Sequence, residues 1–136
     1  MARVLVVDDD QDVRQLIVSR LKQAGHQAAG AGTATEALEL VEQRGAPEVA
    51  VLDISLPDMN GFELLTRLRG EEPMHQLPAV FLSGRVEQAD IEAGQAMAAT
   101  YLTKPFVATA LLSAIDRAMA AATAAAADRA TADDGW

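Results

Sequence analysis

With 136 residues, 50% of them hydrophobic and 23% charged, the chain suits one compact domain with a real core and leaves no room for two full domains. It contains no cysteine, which removes disulfides, thiolate metal sites and cysteine nucleophiles together. Its 11 Lys+Arg against 20 Asp+Glu give a formal net charge of −9, which argues against sequence-independent binding to nucleic acid or anionic lipid, since both need a basic face.

In chain order, Val4-Leu5-Val6-Val7 is a β-branched apolar run ending at Asp8 and reads as a strand covered on both faces. The apolar stretch after Met1-Ala2-Arg3 is too short for a signal peptide, and no run approaches the roughly 20 residues that span a bilayer. The expected location is therefore the cytoplasm. Asp12 to Ala24 follows with Val13, Leu16, Ile17 and Leu21 at helical spacing and Gly25 at the C-cap. A weaker strand covers Gln27 to Ala31. Thr33-Ala34-Thr35-Glu36 fits a capping box for a helix that runs through Ala37, Leu38, Leu40 and Val41 to Gly45.

Val49-Ala50-Val51-Leu52 is a second buried strand, ending at Asp53. Leu56 to Gly61 is turn chemistry, and Phe62, Leu64, Leu65 and Leu68 form the next helix face. Gly70 to Pro78 is a polar loop. Ala79-Val80-Phe81-Leu82 is a third buried strand, ending at Ser83-Gly84. Val86 to Met97 reads as an alanine-rich helix interrupted by Gly94. Thr100-Tyr101-Leu102 is a short strand before Lys104-Pro105. A last helix starts near Phe106 with Leu111, Leu112, Ile115 and Met119 as its stripe. The domain is expected over residues 1–120, with 121–136 an alanine-rich extension whose end, at Trp136, frays.

Five strands alternating with five helices imply an α/β fold: a parallel sheet, doubly wound by right-handed crossovers. Ligands of such sheets sit at the carboxyl ends of the strands. Those ends deliver Asp8, Asp9 and Asp10, then Asp53, Ser83 and Lys104. Each piece alone has a plain reading: Asp10 as a helix cap, Ser-Gly and Lys-Pro as turns. Their convergence on one edge is the functional signal. Three close carboxylates cannot all stay ionised cheaply, and a hard divalent cation such as Mg²⁺ resolves the repulsion. With a lysine and a hydroxyl opposite, the inventory suits phosphoryl transfer to a carboxylate, giving an acyl phosphate.

On these residues the chain resembles the receiver domain of two-component response regulators, from about Arg3 to about Met119. The motifs are Val4-Leu5-Val6-Val7-Asp8-Asp9-Asp10, Val51-Leu52-Asp53 with Leu56-Pro57-Asp58-Met59-Asn60-Gly61, Phe81-Leu82-Ser83-Gly84, and Tyr101-Leu102-Thr103-Lys104-Pro105-Phe106. The resemblance implies a flavodoxin-like sheet of order 2-1-3-4-5. It makes Asp53 the phosphoacceptor and Asp9 a direct Mg²⁺ ligand. Asp8 would bind Mg²⁺ mainly through water, and the Ser55 backbone carbonyl would be the other protein ligand. Lys104 would pair with the phosphoryl group, the Ser83 hydroxyl would bond it after transfer, and Tyr101 would be the aromatic whose rotamer follows that hydroxyl. The implied donor is a histidine kinase or a histidine phosphotransfer protein. The implied output is a change in the face made by the fourth helix, fifth strand and fifth helix, read by a downstream protein target or used for dimerisation. Neither direct nucleic-acid binding nor a membrane is expected, and beyond slow self-dephosphorylation no enzyme activity.

Some positions depart from the family pattern. Ser83 stands for the frequent threonine, and Met97 stands where a glycine usually precedes an alanine. The turn after the fourth helix is therefore expected to be built differently, and that helix to be loosely anchored. Arg85, two residues past Ser83, is open between a solvated residue and one that reaches over the acceptor. His26 and His75 read as isolated. Two other readings compete: a small Mg²⁺-dependent aspartyl phosphatase, disfavoured by Ser55 at the position of the usual acid, and a degenerate receiver, disfavoured by intact Asp53, Lys104 and the acidic pair. A stand-alone receiver and part of a longer chain remain equally open.

Overall fold

Uninterrupted apolar runs build the centre of the sheet. In the computed structural model, which describes residues 2–84 and 88–125, β1 (Arg3–Val7), β3 (Val49–Asp53) and β4 (Ala79–Ser83) are its buried middle strands. The edges are β2 (Gln27–Ala31) and β5 (Thr100–Thr103), shorter of apolar side chains and less buried. All five strands are parallel in the order β2-β1-β3-β4-β5. The helices between them are α1 (Gln11–Gln23), α2 (Ala34–Arg44), α3 (Gly61–Arg69) and α4 (Gln88–Ala96), and α5 (Ala108–Ala125) follows the last strand. Among the described residues no helix is long and apolar enough to cross a membrane.

Side chains two apart on a strand point to the same face, so the sheet divides two cores. Leu5, Val7, Ala50, Leu52, Ala79 and Phe81 pack with α2 and α3 through Ala37, Leu64, Leu65 and Leu68. Val4, Val6, Val51, Val80 and Leu82 pack with α1 and α5 through Ile17, Leu21, Leu111 and Ile115. The Phe62 and Phe81 rings add a tilted contact with centroids 4.6 Å apart.

Several boundaries differ from the sequence reading. Leu16, expected in the core-facing stripe of α1, is 52% exposed; with Arg20, Phe106 and Val107 it lines a groove between α1 and the start of α5. The polar loop from Gly70 to Pro78 buries Met74 and Leu77 in the core. The last helix begins at Ala108, two residues later than placed, and its backbone continues to Ala125. Gly25 lies one residue past the C-cap, with φ 95°. Its amide donates to the Lys22 carbonyl and the His26 amide to the Leu21 carbonyl, both at 3.0 Å, which closes α1 as a Schellman motif. The turn after α4 is a Schellman motif too, with the Ala98 amide on the Gln95 carbonyl and the Ala99 amide on the Gly94 carbonyl, both at 3.0 Å. Its left-handed residue is Ala98, at φ 56°, and not Met97. Gly94 is the one buried position of α4 among the described residues and faces Phe81 and Tyr101. Arg85, Val86 and Trp136 lie outside the described residues.

Candidate functional site

The register places the site. Val7 pairs with Leu52, so the residues that follow, Asp8 and Asp53, stand at the same level of the sheet edge. Asp53 pairs with Leu82, and Ser83 pairs with Thr103, one residue before Lys104. The Lys104 amide donates to the Ser83 carbonyl at 2.7 Å and so continues the ladder past the strand. Four strand ends therefore meet at one edge of the sheet.

Asp8, Asp53 and Ser83 are the buried polar residues here, while Asp9 is exposed at the rim. One carboxylate oxygen from each of Asp8, Asp9 and Asp53 lies within 4.8 Å of the others. The Lys104 ammonium bridges the two buried acids, with Nζ 2.8 Å from Asp8 Oδ2 and 3.3 Å from Asp53 Oδ2. The remaining oxygens are tied locally. Asp8 Oδ1 accepts from the Asp10 amide at 2.9 Å, and Asp53 Oδ1 from the Ser55 amide at 3.1 Å.

Burial pushes the Asp53 carboxyl above its ordinary range, and the Asp8 charge adds to this; the Ser55 amide and the Lys104 ammonium oppose it. Burial works against the charged form of Lys104, but the bonds and charges of Asp8 and Asp53 outweigh it and hold its pKa above the usual value. The cluster is thus two buried acids and one exposed acid against a single ammonium. Asp8 Oδ2, fully buried, has the Lys104 ammonium as its partner. An all-oxygen donor set of three acids against one ammonium suits a hard divalent cation.

The structure brings Asp8, Asp9, Asp53 and Lys104 together and sets Ser83 at the same edge. Ser55 follows β3 and forms an antiparallel bridge with Asn60. Tyr101 lies lower, half-buried in β5 beside Phe81, with its ring edge towards Gly94. Asp10 belongs to α1: its Oδ1 accepts the Asp12 and Val13 amides at 3.0 and 3.2 Å. The histidines take local contacts, His26 Nδ1 accepting from the Ala2 amide and His75 facing Glu72.

Three supporting residues escaped the sequence reading. Arg14 Nη1 donates to the Asp8 carbonyl at 2.8 Å. A Cβ on Gly61 would fall 2.5 Å from the Asp53 carbonyl oxygen, so only glycine fits beside the Asp53 backbone. Asp58 caps α2 from across the loop. Glycine after turn chemistry was visible in sequence, but what it touches was not.

The response regulator receiver domain model matches residues 4–116. The transcriptional regulatory protein KdpE of Mycobacterium tuberculosis is 35% identical over 127 residues, 93% of this chain, and the chain spans only 54% of KdpE's length. The solved chemotaxis protein CheY4 of Vibrio cholerae superposes with a TM-score of 0.81 at 31% identity, over 87% of this chain and 98% of that one. NtrX from Brucella abortus, solved with ATP, gives 0.82 at 31% identity over 91% of this chain and 28% of its own. Sheet order, edge chemistry and these likenesses agree, and the chain belongs to the response regulator receiver domain family of two-component signalling switches.

Proposed function

We propose that Asp53 is the phosphoacceptor of this receiver, taking a phosphoryl group from a phosphohistidine on a histidine kinase or a histidine phosphotransfer protein. The observation that carries the reading is the buried Asp53 carboxylate, bridged by Lys104 to Asp8 and within 4.8 Å of the Asp8 and Asp9 oxygens. Asp8, Asp9, Asp53 and the Ser55 carbonyl would hold Mg²⁺. The bound ion supplies positive charge for the phosphoryl oxygens.

An Asp53 oxygen attacks phosphorus, the P–N bond to the donor imidazole breaks, and that imidazole leaves with a proton. Lys104, already between Asp8 and Asp53, neutralises a phosphoryl oxygen, and the Ser83 hydroxyl donates to another. Water later attacks the same phosphorus, restoring the carboxylate and releasing inorganic phosphate. Tyr101, one strand over and lower in β5, follows the Ser83 movement and alters the face of α4, β5 and α5. That face is read by a downstream protein or pairs two copies of the chain. The domain spans 1–120, with 121–136 an extension, and works in the cytoplasm.

Mg²⁺ with a small phosphodonor should add one phosphoryl group to the wild type and none to Asp53→Asn, read by intact-protein mass spectrometry. Equal labelling of the two proteins would refute the assignment.

A further inference from the structure

Asp58 is exposed and three residues downstream of Ser55, yet its carboxylate is fully engaged. Oδ1 accepts the Ala34 amide at 2.9 Å, and Oδ2 accepts the Thr35 amide at 2.8 Å and the Thr35 hydroxyl at 2.7 Å. Those amides are open donors at the start of α2, whose third, on Glu36, goes to Thr33 Oγ1 at 3.0 Å. A carboxylate on a distant loop thus completes the helix start, where the dipole favours negative charge.

The same short segment also receives the end of β1. The Asp8 amide donates to the Ala31 carbonyl at 3.1 Å. Arg14, which holds the Asp8 carbonyl, passes so close to Gly32 that a Cβ there would lie 3.0 Å from its Nη1. The loop from Ile54 to Gly61 is closed at its neck, where the Gly61 amide donates to the Ile54 carbonyl at 2.8 Å and Ser55 bridges Asn60. Asn60 Oδ1 accepts the Glu63 amide at 2.8 Å and fixes the exit into α3. The closed neck and the pinned tip thus tie Ser55 to Ala34 and Thr35 through one short loop.

We infer that Asp58 is a positioning residue for the cation site: it clamps the Ser55-bearing loop to Ala34 and Thr35, three and four residues past Ala31, whose carbonyl accepts the Asp8 amide. The inference rests on the metal reading above. The Ala34 amide first, then the Thr35 hydroxyl and amide, hold the Asp58 carboxyl at about 2, from an ordinary 3.8, so the clamp stays closed at neutral pH.

Calorimetric titration with Mg²⁺ tests it on wild type, Asp58→Ala, Asp58→Asn and Thr33→Ala. Loss of an outer support of a metal site weakens binding by about tenfold or more. Asp58→Ala should raise the Mg²⁺ Kd by about that factor. Asp58→Asn, whose amide oxygen still accepts one helix amide, should recover part of the loss. Thr33→Ala removes the other cap of α2 without touching the loop; it should lower the melting temperature and leave the Kd unchanged. An Asp58→Ala Kd within about twofold of wild type, or an equal loss in Thr33→Ala, overturns the clamp alone. A wild type that binds no Mg²⁺ overturns the metal reading, and the clamp with it.

Discussion

Asp53 carries an electrostatic load that the fold imposes. Its pKa is raised by burial and by Asp8, so folding makes the acid harder to ionise. Below the unfolded value of about 3.8 both states are protonated and no penalty exists. As pH rises past it, the unfolded carboxyl ionises first and the folded state loses relative stability until its own raised pKa is passed. Asp53→Asn removes that load. In Mg²⁺-free buffer it should melt above wild type at neutral pH, with the gain vanishing towards pH 3, as scanning calorimetry would show. Asp8, Asp53, Ser83 and Lys104 were legible in sequence because each terminates an apolar run, and run ends share an edge. Asp58 and Arg69 were not. Asp58 binds amides 23 and 24 residues away. Arg69, whose guanidinium donates to the Leu77 carbonyl and to the Met97 carbonyl 28 residues on, looked like an ordinary helix-end cation. Partners set by tertiary packing leave no local periodicity to read.

Among the elements, α4 has its glycine and its alanine in exchanged places. Gly94 sits inside the helix, where it costs backbone entropy. Ala98 holds the left-handed position that closes it, where a Cβ is strained. A methyl on Gly94 would meet Phe81 and Tyr101 at 3.6 and 3.9 Å, ordinary contact. The double variant Gly94→Ala, Ala98→Gly should therefore gain about 1–2 kcal/mol, read as a higher urea midpoint at unchanged slope. The sequence departs from the family pattern at Met97, but which residue of this turn carries positive φ is set by the backbone and is not legible in a residue-by-residue comparison. Capping was read more closely. Thr33 accepts the Glu36 amide as a capping box requires, but Glu36 Oε1 reaches the Gly32 amide, one residue before the expected partner.

For the whole molecule, alternation of apolar runs with helical stripes and the handedness of crossovers sufficed for the layered sheet; the two separate cores followed from period-two alternation that only strand register makes definite. The acidic cluster exists only when the strands are paired, so a cation that it binds favours the folded state. Mg²⁺ at 100 times its Kd should add about 2.7 kcal/mol to the unfolding free energy. Asp9→Ala, at the exposed rim, should abolish most of that increment with little effect on the metal-free melting temperature; an unchanged increment would remove Asp9 from the site. Gly61 sets a further condition. A side chain at that position would push against the very peptide that presents the Asp53 side chain. A related chain could keep every reactive group and still be mute because of one added methyl, so competence in such sequences has to be judged from the silent neighbours as well as from the reagents.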